Sequence, residues 1–460
     1  MTKRRDFIKQ GMLGTAGIAI GGMGFSASSY RSIPGANDRL NVAVVGLRSR
    51  GESHVDEWCY KKDSHNVRIT AICDTDEQFY APRMKTIEEK TGMKPAVYWD
   101  MRKMLENPDI HIVSVATPNH WHALATIWAC QAAKHVYVEK PCCHNIFEGR
   151  KMIEASRKYN VRVQVGFQAR SYQNINNAMN FLHEGGIGDV YMARGLCYKP
   201  RESFGIAKDA DPPAGLHYDM WLGPAPYRRY NEKRLHYNWH WFWDTGNGDS
   251  GNQGVHEFDM ARWGLNKSEH PVTVFSTGGI FGIKPEECAQ ETPNTQTSTF
   301  RYNDGKILEF ETRGRYFNRE GALPISIGNI FYGTEGWLEM AAWEKSGGQW
   351  QAFRKREKEP FAGSEKGGSK DMAPTLQGPD SQGHFSNLIE AIRDGKNETL
   401  HADITEGFYS AALPLLGNIS YKLGRELKFM GDYEKFANDP EADIMLSRNY
   451  RKPFVVPQEV

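Results

Sequence analysis

Between residues 41 and 166, short strand-like runs, the first of them apolar throughout, alternate with stretches of helical period. The runs cover 42–45, 67–73, 110–116, 135–138 and 161–166, with a weaker one near 96–98. A strand that is apolar at every position is one covered on both faces. Helical patterns separate the runs, beginning just past Gly51 and then at about 76–91, 100–106, 120–131 and 146–159. Strands alternating with helices at this spacing predict a parallel, doubly wound α/β sheet. Beyond it the pattern changes. A helix over about 174–184, stopped by Gly185-Gly186, leads into runs of period two from about 189 to 340, among them VYMARGLCY, TQTSTFRY and KILEFETRG. Such runs, with turn residues between them, predict an antiparallel sheet. Residues 343–380 are polar and glycine-rich and read as a solvated excursion, after which helical patterns return at 384–393 and 404–423. The chain therefore divides into a doubly wound domain over 40–166, an α+β domain with an open, mostly antiparallel sheet over 167–425, and a tail over 426–460.

The ends of the apolar runs carry the chemistry. The first run stops at Gly46 in the sequence GLRSRG, and Gly51 opens a helix. A strand, a tight glycine turn and a helix start aim backbone N–H groups and a helix dipole at a pyrophosphate. The usual fingerprint is G-x-G-x-x-G; here the middle glycine is Arg48, followed by Ser49 and Arg50. The second strand ends in Asp74, an acid suited to both ribose hydroxyls of an adenosine. Thr75 and Asp76 follow without a cation for a 2′-phosphate, so NAD is favoured over NADP. Thr117, Pro118, Asn119, His120 and His122 lie at the end of the next long strand, where ligands of such sheets bind. The two histidines are two residues apart and do not share a helix face, so no metal pair is expected. The strand at 135–138 delivers Glu139-Lys140-Pro141 to the same edge.

Charge and cysteines narrow the classes. The formal net charge is +1 over 460 residues, which gives no electrostatic case for nucleic acid or acidic lipid. Seven cysteines are scattered without a C-x-x-C pair, which is neither a disulfide framework nor a zinc pattern. At the start, Arg4-Arg5 with Phe7, Ile8 and Lys9 resembles a twin-arginine export signal, followed by a short apolar stretch from Gly11 to about Phe25. Small residues Ala27 and Ser29 flank a candidate cleavage point near Tyr30, making 1–30 a signal peptide and the protein periplasmic, with the export machinery as a partner. That pathway carries folded proteins, so a nucleotide enzyme using it is expected to leave with its cofactor already loaded and to hold NAD tightly.

GLRSRG, then Cys73-Asp74, ATPNHWH and VEKP, in that order and spacing, resemble the glucose–fructose oxidoreductase / inositol dehydrogenase / MocA family over about residues 40–425. The resemblance implies a Rossmann domain, a second domain whose open sheet often makes a subunit interface, and hence a homo-oligomer. It implies that Lys140 sits beside the nicotinamide and the reacting hydroxyl, with Glu139 and Pro141 as positioning neighbours. A G-[FY]-x-x-R run makes Arg170, with Tyr172 beyond it, a candidate to touch substrate or cofactor. The stretch GNQGVHEFD matches the family's D-x-G-x-H motif, with His256 as its histidine, but Asn252 replaces the aspartate. An amide orients a hydroxyl and cannot take a proton at neutral pH. Proton transfer then falls to Lys140 and His256, with Asp249 or Asp259 available to orient the imidazole. Trp239, Trp241, Phe242 and Trp243 are packed into five residues, a wall suited to stacking on a sugar ring.

The expectation is an exported NAD-dependent oxidoreductase acting on a small carbohydrate, a sugar or glycoside. Two alternatives stand beside it: an NAD-dependent glycoside hydrolase working through transient oxidation, and a non-catalytic sugar-binding relative. Lys140 acts either as a base lowered in pKa by burial or as a charged group that polarises the oxygen while His256 removes the proton.

Overall fold

The computed structural model describes residues 39–342, 347–364 and 383–460, and the expected export signal lies outside them. The apolar runs form a six-stranded parallel sheet: β1 (Leu40–Val45), β2 (Val67–Cys73), β3 (Ala96–Tyr98), β4 (Ile112–Val115), β5 (His135–Val138) and β6 (Val163–Val165), in the order β3-β2-β1-β4-β5-β6. Helices α1 (Arg50–Ser64), α2 (Asn119–Gln131) and α3 (Ile146–Lys158) are among its connections. Every residue of β4, β5 and β6 except His135 is buried, as continuous apolar strands between helix layers must be. Register aligns the strand ends. Val45 pairs with Cys73 on one side and Val115 on the other, and Val115 pairs with Val138. The residues that follow these strands therefore emerge along one edge.

The second sheet has ten strands, built from β7 (Val190–Cys197), β8 (Thr273–Gly279), β9 (Thr295–Arg301), β10 (Ile307–Arg313), β11 (Ile327–Gly333), β12 (Gly336–Ala341), β13 (Gln349–Arg354), β14 (Ala362–Gly363), β15 (Leu427–Met430) and β16 (Lys435–Phe436). Its order is β14-β13-β12-β11-β7-β10-β9-β8-β15-β16. All pairs are antiparallel except β7–β10. A parallel pair needs a crossover. Here the chain leaves β7 and passes through α4 (Gly248–Asn252) and α5 (Gly254–Gly264) before β8. Gly195 lets α5 lie close on β7: a Cβ there would meet the Glu257 Cβ at 3.1 Å.

Two expectations are corrected. Residues 426–460 are not a loose tail, because Leu427 and Phe429 alternate inward and pair β15 with β8, while Phe454 and Val456 are buried farther on. That alternation covers only four residues, too short to stand out in the sequence. Part of the expected solvated excursion is strand: β13 pairs with β12 and buries Trp350, Ala352 and Phe353.

The last helices tie the sheets together. After α6 (His384–Asp394), the Ala402 carbonyl accepts the Val165 N–H at 2.9 Å and Gln164 Oε1 accepts the Ala402 N–H at 3.1 Å. Helix α7 (Ile404–Leu423) then runs from β6, where Gly407 leaves room for Val165, to β8, where Ser420 Oγ accepts the Ser276 N–H at 2.9 Å. All seven cysteines are buried and none is bridged. Among the described residues, no helix is long and apolar enough to cross a membrane.

Candidate active site

A cleft of about 400 Å³ opens at the carboxyl ends of β1, β2, β4 and β5. Its floor is the glycine turn. Gly46 has φ 84°, and a Cβ there would sit 2.7 Å from the Ala116 carbonyl oxygen. At Gly51 a Cβ would lie 1.8 Å from the Gly46 carbonyl oxygen. Glycine at both places lets the turn fold tightly against β4 and start α1 with its N-terminus at the cleft. Arg48, in the place of the middle glycine, is an exposed residue of the cleft lining. Asp74 closes the far end. Its carboxylate accepts the Leu47 N–H at 2.6 Å and the Asp76 N–H at 2.9 Å. Burial pushes its pKa up to about 6 against the pull of those N–H groups. Each oxygen keeps a further acceptor site toward the cleft, which suits a ribose diol. A dinucleotide fits this cradle.

At the end of β5, Glu139 gathers the neighbouring polar groups. It accepts Arg50 Nε at 2.7 Å, bonds His54 Nε2 at 3.1 Å and accepts Gln168 Nε2 at 3.3 Å. Burial alone would raise its pKa, but Arg50, His54 and Lys140 together hold it well below the usual range. Lys140 lies beside it and donates from Nζ to the Asn252 carbonyl oxygen at 3.0 Å. Burial lowers the lysine pKa, Glu139 opposes this and Arg50 adds to it. His122 sits between the Pro141 and Thr117 carbonyls, 2.7 Å from each. Burial lowers its pKa, so the neutral ring donates to one of them at a time and pins the ends of β4 and β5 together. From the opposite wall His256, near the start of α5, faces the same cleft. Burial first, and the Lys140 charge second, hold it well below the ordinary histidine value, so the ring is neutral and able to accept a proton.

The rest of that wall is aromatic. Trp239 and His240 stack at 3.5 Å with 21° between planes, and both line the cleft with His236, Tyr237 and Trp221. They belong to a strap over 198–247 that fastens across the end of β2. Glu77 N–H donates to Gly215 O at 3.0 Å, and His217 N–H to Thr75 O at 2.8 Å. His217 stacks on Trp99 at 4.4 Å, and His236 Nε2 pairs with Asp76 at 3.1 Å.

Two family models cover most of this architecture. An oxidoreductase-family NAD-binding Rossmann fold matches residues 40–167. The oxidoreductase-family C-terminal α/β domain matches residues 205–315 and 369–456. The chain belongs to the glucose–fructose oxidoreductase / inositol dehydrogenase / MocA family. A levoglucosan dehydrogenase of Pseudarthrobacter phenanthrenivorans is 29% identical over 319 residues, 65% of this chain and 72% of its own length. A glycosyl hydrolase family 109 protein of Shewanella baltica is 30% identical over 172 residues, 34% of this chain. The match spans only 37% of that relative's length. Aldose-aldose oxidoreductase from Caulobacter crescentus, solved with glycerol, superposes with a TM-score of 0.61 at 18% identity, covering 85% of this chain and 100% of that one. That likeness is one of fold.

Against the family expectation the residues divide. Gly46, Arg48, Ser49, Arg50, Asp74, Thr117, Pro118, Asn119, His122, Glu139, Lys140, Trp239, Asn252 and His256 all line the cleft, with Gly51 packed beneath the turn. Arg170 and Tyr172 do not. The short turn over Gln168–Ser171 sends Gln168 into the cleft and Arg170 backward. There Arg170 is buried, chelated by both oxygens of Asp259 at 2.9–3.1 Å and bonded to Glu406 at 3.3 Å. Tyr172 packs against the hydrophobic core. Trp241 is also outside the cleft, 5% exposed, with the Arg201 guanidinium 4.8 Å from its ring. In a turn of three residues, side chains two apart point about 120° away from each other, so Trp239 and Trp241 cannot share a wall. Asn252 meets Lys140 through its carbonyl. Asp249 is committed to Arg201 at 2.6 Å, and Asp259 to Arg170 and Ser410, so neither is available to orient His256. Sequence reasoning missed His54 and Gln168, which had no local signal, and Trp221, His236, Tyr237 and His240, of which only His240 falls within the aromatic run already singled out.

Proposed function

We propose that the protein is an exported NAD-dependent oxidoreductase that moves hydride between a sugar or glycoside hydroxyl carbon and a retained nicotinamide cofactor. The observation that carries this reading is one cleft shared by the glycine turn, Asp74, a half-buried lysine and a neutral histidine. Gly46, Arg48, Ser49, Arg50 and Asp74, with Gly51 shaping the turn, would hold the adenosine and pyrophosphate, and Thr117, Pro118, Asn119, His122 and Glu139 would border the nicotinamide. When bound, NAD supplies the hydride acceptor. Lys140, anchored on the Asn252 carbonyl, polarises the substrate oxygen with its remaining N–H groups. His256, held neutral by burial, takes the hydroxyl proton. The Trp239–His240 platform supports the flat face of the sugar.

Retention is supported by the strap, whose contacts at Thr75, Asp76 and Glu77 lie over the end of β2, where the ribose would sit. Export is supported by Arg4-Arg5 and the apolar stretch behind them. Replacing both arginines by lysine is expected to leave the protein in the cytoplasm on cell fractionation. A homo-oligomer through the open sheet rests on family resemblance, and light scattering of the purified protein tests it.

A second reading, NAD-dependent glycoside hydrolysis with no net redox change, is favoured by the likeness to glycosyl hydrolase family 109 and by a cleft strapped over its cofactor end. The test uses purified protein without added nucleotide. Denaturation should release NAD. A free sugar giving a ketosugar with stoichiometric NADH supports the dehydrogenase. Aryl glycoside cleavage without change at the NADH absorbance band supports the hydrolase. Lys140→Met should lower kcat on the order of 10³-fold with the nucleotide still bound; unchanged turnover refutes its role.

A further inference from the structure

The ring nitrogens of His240 have no part in the reaction described above. His240 stands in the short turn over Asn238–Trp241, half-buried on the cleft wall. Its backbone is held closely. Gly246 approaches so near that a Cβ there would sit 2.4 Å from the His240 carbonyl oxygen, and Thr245 Oγ1 donates to the neighbouring Trp239 carbonyl at 2.8 Å.

The ring is fixed as well. Trp239 stacks on it at 3.5 Å, while the rings of Tyr237 and Trp241 lie 4.7 Å and 5.7 Å away at tilted angles. Tyr237 is itself anchored, since Arg201 Nη1 donates to its hydroxyl at 3.0 Å. The Tyr237 carbonyl lies within hydrogen-bond distance of His240 Nδ1. A carbonyl only accepts, so Nδ1 carries the ring proton. Burial lowers the His240 pKa to about 3 against the pull of that carbonyl, and Lys140, Arg201 and His122 lower it further. The ring is therefore neutral through the working range, with one N–H, and Nε2 is a bare acceptor.

Nδ1 is turned toward the strap's own turn, so Nε2 points away from it. Among the described residues no group meets Nε2, and the atom is not sealed from solvent. Other acceptors near this end of the cleft are already engaged. Glu139 serves Arg50, His54 and Gln168, both nitrogens of His122 face carbonyls, and Asp76 pairs with His236. Lys140 supplies only donors. A sugar brings several hydroxyls, each both donor and acceptor. With one of them between Lys140 and His256, another needs a place for its own proton.

We propose that His240 Nε2 accepts a hydrogen bond from a second hydroxyl of the sugar and so selects substrates that carry a donor there. The assignment rests on the carbohydrate reading of the cleft. The stacked pair then offers an indole face, Trp239, to the C–H side of the sugar and an imidazole edge, His240, to a hydroxyl. A deoxy sugar leaves the acceptor desolvated and unmet, and an O-methyl ether sets a second acceptor against it; both bind more weakly.

The test uses the full chain with its nucleotide bound and its histidine nitrogens isotopically labelled, followed by NMR. Glucose, galactose, xylose and levoglucosan are titrated in separate arms. The His240 signals, assigned by their loss in His240→Gln and His240→Phe, are expected to show a protonated Nδ1 and a bare Nε2. At least one sugar should move the Nε2 signal upfield, saturating below about 100 mM. His240→Phe keeps a flat ring against Trp239 and removes the acceptor, so it should weaken binding of that sugar about tenfold. In a monodeoxy series of the same sugar, the form lacking the hydroxyl read by Nε2 should bind parent and variant within about twofold, a pattern that altered packing would not confine to one hydroxyl. A proton on Nε2 in the free protein, an Nε2 signal that no sugar moves, or a His240→Phe loss shared equally by every deoxy form overturns the proposal. Reduction of the bound nucleotide while Nε2 stays unmoved sinks the acceptor alone. A moved Nε2 with neither nucleotide reduction nor glycoside cleavage sinks the hydride reading and upholds the acceptor.

Discussion

On the Rossmann side of the cleft, what faces the cavity is set by the strand ends: the turn at Gly46, the start of α1, and the residues just past β2, β4 and β5, among them Asp74, Thr117, Glu139 and Lys140. On the opposite side it is side chains, His236, Trp239, His240 and His256, borne largely by a strap with little regular structure. The first wall follows from strand register, so any change in it strains the sheet. The second depends on individual side chains and can be altered locally. A cofactor common to a family suits the first kind of wall, and a substrate that differs between members suits the second.

Substitutions can break or sharpen this contrast. The largest stability effect is expected at Arg170→Met, which leaves buried Asp259 with only Ser410 and the more distant Arg262 and should cost about 4 kcal/mol in chemical denaturation. Because Arg170 lies outside the cleft, the KM of the folded fraction should not move; a raised KM would return Arg170 to the substrate wall. Gly51→Ala drives a methyl into the Gly46 carbonyl and should cost about 3 kcal/mol, with loss of bound nucleotide in the same samples. The two tryptophans separate the walls next. Trp241→Ala should destabilise by about 3 kcal/mol through its lost packing, with sugar KM unchanged. Trp239→Ala should raise that KM by about 1 kcal/mol, roughly fivefold, at nearly constant melting temperature.

The smallest effect is in pH. The Asp74 pKa is raised to about 6 in the fold, so its stability contribution without nucleotide is present at low pH and lost as pH rises through about 6. Nucleotide binding, which uses the carboxylate, should run the other way and weaken below about pH 6. Melting scans with and without nucleotide should diverge across that point in the parent and run parallel in Asp74→Asn. The acid limb of kcat/KM, set by His256, should lie below the ordinary histidine value.

How much of this was legible in the sequence follows the same division. The places of the parallel strands along the chain could be read, to within a residue or two at their ends, because a strand covered on both faces is rich in apolar residues. The groups at their ends could be read too, since register leaves them only one edge to occupy. Arg170, Tyr172 and Trp241 were misdirected because a single tight turn decides which way each side chain faces, and apolar period carries no such information. The engagements of Asp249 with Arg201 and Asp259 with Arg170 bridge long separations in the chain that no local pattern encodes. The strap was invisible for the same reason, being held by backbone contacts with Thr75 and Glu77 and by the His236–Asp76 pair.

Helix α7 has a mechanical consequence. Its first turns are packed under β6 and its last turns under β8, so a single rod is clamped into both sheets. Opening the molecule like a pair of jaws would have to bend that rod or tear one of its ends free. Displacing the 198–247 segment would uncover the cleft without moving that helix, at the expense of its contacts with Thr75, Asp76, Glu77 and Trp99.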